Sequence, residues 1–292
     1  MIPAMLLALL KNMRPKQWAK NLLVFAGLVF DRQLTYQPAL ERTVAGFVLF
    51  CMLSSSIYLI NDLIDLETDR KHPKKKLRPL ASGALPRPLA IAAAAVFFAL
   101  AIGLGYWLSP AFAVTCLAYA VLNIGYSLWL KHLPIIDVLV LASFYVLRVW
   151  AGTSLIEVQR FSPWIYAFTT FLALFLGVGK RRAEIMRNEP GAHARRVLEG
   201  YTAPFLDQLL MIVLSLSIVT YSLYTFLAPN LPENHAMMLT IPFVLFGFFR
   251  YLYLVQVKNS GEAPEDILFT DRQLQADLLL WVSSILLIFY YY

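Results

Sequence analysis

Apolar runs long enough to cross a bilayer recur from one end of this 292-residue chain to the other. A helix needs about 20 residues to span the hydrocarbon core. Runs of that order are read at 18–34, 43–64, 88–108, 110–130, 134–156, 161–181, 205–228, 236–257 and 273–291. They leave no room for a soluble domain. Composition agrees: 59% of residues are hydrophobic and 15% charged, against about 45–50% apolar in a soluble domain. The expectation is an all-α, polytopic membrane protein. It has nine transmembrane helices in one intramembrane domain over 1–292. The first run is the weakest, because Pro15 and Lys20 crowd its start. The third and fourth are joined only by Ser109-Pro110, as a tight turn or as the kink of one very long helix.

The formal charge of +7 would suggest nucleic acid in a soluble chain. Here it reads as topology, since cytoplasmic loops collect Lys and Arg. With the N-terminus inside, 21 of the 25 cations fall on one side and only Arg32, Arg42 and Arg160 on the other. Nine spans then put the C-terminus outside. The long inside loops are 65–87, 182–204 and 258–272, so function is expected on the cytoplasmic face. Both charge-rich loops after spans two and six fit a weak repeat at an offset of four helices. Cys51 and Cys116 lie in apolar runs and read as small core residues. The four histidines show no zinc spacing. No small-residue cleavage site follows the first apolar stretch, so no cleavable signal peptide is expected.

The chemistry concentrates at the inner end of the second run. Asn61, Asp62, Asp65 and Asp69 place three carboxylates at i, i+3 and i+7, on one helix face. Acids oppose the macrodipole at a helix C-terminus, so stability alone does not select them. Converging oxygen donors suit Mg²⁺ shared with a phosphate. The plain alternative is a solvated helix end. Glu67 points away from this face, and His72, followed by Pro73, reads as loop.

Cations follow at once: Arg70, Lys71, Lys74, Lys75, Lys76 and Arg78. Anchoring to anionic headgroups accounts for many of them. Arg78 differs, because it sits in a Pro- and Gly-bounded loop where a guanidinium can grip a diphosphate bidentately. Ahead of the first run, Arg14-Pro-Lys-Gln-Trp-Ala-Lys-Asn21 pairs Lys16 with Lys20 and Gln17 with Asn21 at i, i+4. Lys180-Arg-Arg-Ala-Glu184, with Arg187 and Arg195-Arg196, is mainly cationic; Lys180, Glu184 and Arg187 share a face. Tyr126 and Lys131 end span four, and Asp137 opens span five. Arg148, deep in a span, must face the bundle or water. Asp266 and Asp271 either close over the site or cap the last helix.

Asn61-Asp-x-x-Asp-x-x-x-Asp69, followed by Arg70-Lys-His-Pro and Arg78-Pro, resembles the first aspartate motif of the UbiA-type intramembrane prenyltransferase superfamily. The resemblance implies a UbiA-like bundle, with two acidic motifs after helices two and six holding Mg²⁺ and an isoprenoid diphosphate. This chain departs at the second, where Lys180-Arg-Arg-Ala-Glu184 stands. A finer resemblance covers nearly the whole chain. The 14–21 segment, the aspartate motif, Tyr126-Ser-x-x-Leu-Lys131, Lys180-Arg-Arg-x-Glu184 and Pro264-Glu-Asp-Ile-Leu-x-x-Asp271 are similar to the branch that makes decaprenylphosphoryl-5-phosphoribose.

That branch implies 5-phosphoribosyl diphosphate (PRPP) as donor, polyprenyl (decaprenyl) phosphate as acceptor, and a cell-membrane location in arabinan precursor synthesis. On this reading Asp62, Asp65, Asp69 and Asn61 ligate Mg²⁺, and Arg78, Lys74 and Lys20 stabilise the leaving diphosphate. Lys131, Arg181 and Arg182 hold the 5-phosphate or lipid phosphate, and Glu184 orients a cation or a ribose hydroxyl. Lys16, Tyr126 and Lys180 complete the substrate-facing set. The rivals are a prenyltransferase acting on an aromatic acceptor and a lipid transporter without chemistry. Lipid length and homo-oligomer formation stay open.

Overall fold

The computed structural model describes residues 2–73, 75–158, 162–186, 196–229, 231–258 and 264–291. Among them the ordered elements are helical throughout. They are α1 (Ile2–Asn12), a 3₁₀ segment (Pro15–Phe25), α2 (Ala26–Phe30), α3 (Gln37–Ile64), α4 (Leu66–Lys71), α5 (Arg87–Leu108) and α6 (Pro110–Leu128). There follow α7 (Ile136–Thr153), α8 (Pro163–Met186), α9 (Ala203–Leu227), α10 (Ile241–Gln256), α11 (Pro264–Thr270) and α12 (Arg272–Tyr291). Short 3₁₀ turns at Lys75–Leu77, Leu130–His132, Arg196–Gly200 and Ala236–Thr240 punctuate them.

Eight helices among the described residues are long and apolar enough to cross a membrane. The expected first span, 18–34, is not one of them. Pro15 and the polar side chains after it favour a tighter winding, and 15–25 forms a 3₁₀ helix before α2 takes over. At about 2.0 Å per residue for 11 residues and about 1.5 Å for five, the pair still reaches roughly 30 Å. The 3₁₀ repeat also changes who meets whom. Side chains three apart eclipse, so Lys20 Nζ donates to Gln17 Oε1 at 2.7 Å rather than aligning with Lys16. Trp18, Asn21 and Val24 form the column facing α3: Trp18 Nε1 donates to Ser55 Oγ and Asn21 Nδ2 to Ser54 Oγ, both at 3.1 Å. Gly152 of α7 lies against Val24, where any Cβ would collide with the Val24 carbonyl.

The chain folds as two compact units: Met1–Ser127 with Leu147–Glu157, and Leu128–Val146 with Val158–Tyr292. Helix α7 contributes one end to each. In the first unit α3 packs along α5. Ala90, Ala93, Ala94 and Ala101 keep α5 slim enough for close approach, and Ser56 Oγ donates across to the Ala94 carbonyl at 2.8 Å. The hairpin of α5 and α6 turns on Ser109, whose extended backbone breaks the helix; the single kinked helix is thus excluded. At the aspartate end, Ala8, Leu59, Leu66, Leu80, Leu85 and Ala90 form one apolar cluster. It ties α1, α4 and the 78–86 loop to α3 and α5.

In the second unit α8 packs along α9. Phe168 meets Tyr221, and Phe175 meets Phe248 and Tyr251. Tyr221 Oη bonds Thr240 Oγ1 and accepts from Trp281 Nε1 at 2.8 Å.

Candidate active site

Helix α3 is 28 residues, about 42 Å long. The hydrocarbon core takes about 30 Å, which leaves polar turns for the helix ends. Asn61 and Asp62 lie in its last turn, and Asp65 caps it. The chain does not unwind there: Asp65 N–H bonds the Asn61 carbonyl at 2.9 Å and Asp69 N–H bonds the Asp65 carbonyl at 2.8 Å. Buried Leu66 anchors α4, so Asp69 is carried round to the Asp62 side.

Asp62 is 4% exposed and Asp69 1%. Buried carboxylates persist only where charge and donors surround them, and they do here. Asp62 Oδ1 accepts from Arg14 Nη2 at 2.5 Å and from Arg78 Nη1 at 3.0 Å, while its Oδ2 accepts from Asn12 Nδ2 at 3.1 Å. The same Arg78 nitrogen donates to Asp69 Oδ2 at 2.5 Å. Lys75 Nζ stands 3.7 Å from Asp69 Oδ1. Arg78 is aimed by its loop, since Leu80 and Leu85 are buried and Gly83 takes φ +83°, the left-handed region that favours glycine. Arg14 also has positive φ, 56°, and its guanidinium stacks over Tyr58. Asn61 Oδ1 accepts from Ser127 Oγ at 3.0 Å, tying the site to the end of α6.

Asp65 is half-buried and, among the described residues, makes no side-chain hydrogen bond or ion pair. Glu67 points outward to Arg70 and Arg87, as its phase predicts. His72 is loop, and its Nδ1 accepts from Lys75 N–H. Among the described residues no three acidic, His or Cys side chains gather closely enough to hold a metal. Helix α3 is capped at Asp65 while its hydrogen-bond ladder carries on to Asp69, and guanidinium groups stand against the other two carboxylates. The donor set nevertheless fits a divalent cation. It consists of hard oxygens, and two of them, Asp69 Oδ1 and Asn12 Oδ1, are buried without a hydrogen-bond partner.

The cationic stretch of α8 is built differently. Arg181 is 0% exposed. Its Nε donates to Asp137 Oδ2 at 2.6 Å and its Nη1 to Glu184 Oε2 at 2.5 Å. Tyr201 Oη donates to Asp137 Oδ1 at 2.6 Å and accepts from Ile135 N–H. Burial, then the bond to Asp137, pushes the Tyr201 phenol well above its ordinary range and keeps it a donor. Ile135 sits at φ +70°, a strained position for a β-branched residue, and this network holds it there. Arg182 Nε bonds Asp207 Oδ1 at 2.7 Å and its Nη1 the Val255 carbonyl at 3.0 Å. The sequence predicts both arginines on substrate phosphate. The structure instead commits them to internal partners, because a buried guanidinium is tolerated only when compensated.

Lys180 is half-buried on the same helix, and Lys131 half-buried in the Leu130–His132 turn. Tyr126 is half-buried near the end of α6, and Lys16 is exposed. Lys74, Arg187 and Arg195 lie outside the described residues. Arg148 faces the interior: its Nε donates to Asn21 Oδ1 at 2.9 Å, its Nη2 to Tyr119 Oη at 2.8 Å. Asp271 caps α12 through Leu274 N–H and binds Arg250 through both oxygens. Bonding to Arg250 holds its carboxyl below the usual range.

Asn12 and Arg14 were not read from sequence as partners of Asp62. The available signal was the Asn-Met-Arg-Pro string, where proline after Arg14 forces a turn that folds α1 back onto α3.

The UbiA prenyltransferase family profile matches residues 21–270. The chain is 34% identical, over 97% of its length and 86% of the relative's, to the decaprenyl-phosphate phosphoribosyltransferase of Corynebacterium glutamicum. It is 32% identical, over 97% and 95%, to the Mycobacterium tuberculosis protein of that name. Its fold matches a UbiA homologue from Archaeoglobus fulgidus bound to GPP and Mg²⁺, with a TM-score of 0.74 at 19% identity, covering 97% and 99% of the two chains. The polytopic helical fold, the aspartate motif and near full-length similarity converge, and the chain is a member of the UbiA prenyltransferase family.

Proposed function

We propose that this transferase moves the 5-phosphoribosyl group of PRPP onto a polyprenyl phosphate, decaprenyl phosphate above all, and releases diphosphate. The observation that carries the reading is the partition of charge. The end of α3 presents acids interleaved with guanidinium groups, whereas the end of α8 carries no second aspartate motif: Lys180 leads it, and Arg181 and Arg182 are held by Asp137, Glu184 and Asp207. PRPP carries a diphosphate and a separate 5-phosphate, which calls for one metal-type site and further cations. An isoprenoid diphosphate has no phosphate apart from its diphosphate. The relatives' names point the same way.

The lipid phosphate oxygen forms a bond to the ribose anomeric carbon. The bond from that carbon to the diphosphate oxygen breaks, and diphosphate leaves with the electron pair. The nucleophile is already anionic, so no strong general base is needed. Positioning and charge neutralisation lower the barrier. Asp62, Asp65 and Asp69, with Asn61, are assigned to Mg²⁺, whose contribution when bound is to neutralise charge on the diphosphate. Arg78 and Arg14 are assigned to the remaining diphosphate oxygens, with Lys20, Lys16 and Lys74. Lys131, Lys180 and Tyr126 are assigned to substrate binding. Arg181, Arg182 and Glu184 shape the helix that carries Lys180. The cation asymmetry of the loops supports a cytoplasmic position for this face and the N-terminus in the cell membrane, on a count of nine crossings with the 3₁₀ segment as the first. The product would serve as a precursor for arabinan wall synthesis.

The test is to incubate purified protein with labelled PRPP and decaprenyl phosphate, with Mg²⁺ or with EDTA. Labelled lipid that requires Mg²⁺ is expected. No labelled lipid, together with transfer from a prenyl diphosphate to an aromatic acceptor, would overturn the proposal in favour of ordinary prenyl transfer.

A further inference from the structure

We infer that Asn12, at the end of α1 and outside the aspartate motif, is a ligand of the divalent cation through its side-chain carbonyl oxygen. The inference rests on the metal site proposed above and adds to it a donor from another helix.

The geometry around Asn12 leaves little choice. Its side chain is 1% exposed. Asp62 is an acceptor, so the amide nitrogen must face it, and that 3.1 Å bond fixes which way the amide points. The carbonyl oxygen is then directed elsewhere, buried and without a hydrogen-bond partner. Native proteins rarely leave such an oxygen unsatisfied, and each exception calls for a reason. The residue cannot swing out to water. Ala8, one turn earlier, belongs to the apolar cluster with Leu59 and Leu66. The next residue, Met13, is buried, and its carbonyl accepts from Ser55 Oγ at 3.2 Å.

A residue serving only to orient Asp62 could do so from a site where its oxygen met solvent. Asn12 instead spends one end of its amide on a proposed metal ligand and holds the other dry beside it. Among the described residues Asp69 Oδ1, also proposed as a ligand, is likewise buried without a hydrogen-bond partner, with Lys75 Nζ 3.7 Å away. A hard cation satisfies acceptor oxygens of both kinds, and an amide carbonyl is an ordinary oxygen ligand for such ions. A neutral ligand suits the place, because it adds a donor without adding negative charge beside two buried carboxylates.

The experiment measures Mn²⁺ binding by electron paramagnetic resonance on the full-length protein in detergent, without substrate. The variants are Asn12→Leu, Asn12→Asp and Asp69→Asn. Thermal unfolding in EDTA checks that each is folded. Asn12→Leu should raise the Mn²⁺ Kd at least about tenfold, and Asn12→Asp should keep or tighten it. Asp69→Asn should abolish binding. Wild-type Mn²⁺ affinity in Asn12→Leu overturns the inference, even if PRPP binding weakens, since the carbonyl would then serve a hydroxyl. If Asn12→Leu does not fold, the inference stands on Asn12→Asp alone, and weaker Mn²⁺ binding there overturns it. A wild-type protein that binds no Mn²⁺ would instead bring down the metal site itself.

Discussion

Arg181 and Asp137 form an ion pair with 2.6 Å between Nε and Oδ2, and neither side chain is exposed at all. Breaking one half of such a pair strands the other charge, at a cost of about 3–5 kcal/mol. Asp137→Asn should therefore lower the thermal midpoint sharply. The double variant Asp137→Leu with Arg181→Met should recover much of the loss, because the stranded charge is gone. A thermal double-mutant cycle in detergent decides it. Equal losses in the single and double variants would show that the pair is not the main term.

Arg78 contacts Asp62 and Asp69 through one nitrogen. Lysine keeps the charge but loses the planar fork. Arg78→Lys should lower kcat by roughly 10- to 100-fold, and Asp62→Asn by about a hundredfold or more. Both should stay folded, since Arg14 and Asn12 remain on residue 62. Initial rates with labelled PRPP test this. Full activity in Asp62→Asn would remove the aspartate motif from the reaction.

The Arg250–Asp271 pair gives a pH signature. The folded carboxyl titrates below its unfolded value, which is near 3.9. Its contribution is therefore fully present above that pH and fades as pH falls through the folded value. The thermal midpoint of wild type should exceed that of Asp271→Asn by a constant margin above about pH 5. The margin should close in stronger acid. A margin that grows on acidification would contradict the assignment.

Gly152 leaves room for the Val24 carbonyl and nothing more. Gly152→Ala should destabilise the first unit by about 1–3 kcal/mol or more, since backbone on both sides must shift. Gly103→Ala, where a Cβ meets nothing within 4 Å, is the control and should be neutral or stabilising.

The long α-helices were legible because length and apolarity suffice to specify them. The aspartate motif was legible because the hydrogen-bond ladder, and with it the spacing, carries through the cap at Asp65. Three features were hidden, each for a physical reason. The segment from Pro15 reads equally as a weak α-helix, and only its bonds to Ser54 and Ser55 reveal the 3₁₀ winding. Arg181 and Arg182 look like phosphate ligands in a string of cations. Their partners Asp137 and Asp207 lie 44 and 25 residues away. For Asn12 the Asn-Met-Arg-Pro string signals a turn but not its partner, because that contact is made 50 residues later.

The winding of residues 15–25 bears on how this segment can change. Trp18, Asn21 and Val24 recur in threes, whereas the faces of the neighbouring α-helices recur in sevens. Inserting one residue after Trp18 would rotate everything beyond it by about 120° and turn Lys20 toward the serines of α3. Inserting three would restore the alignment and lengthen the rod by about 6 Å. Viable length variants of this wall are therefore expected in triplets.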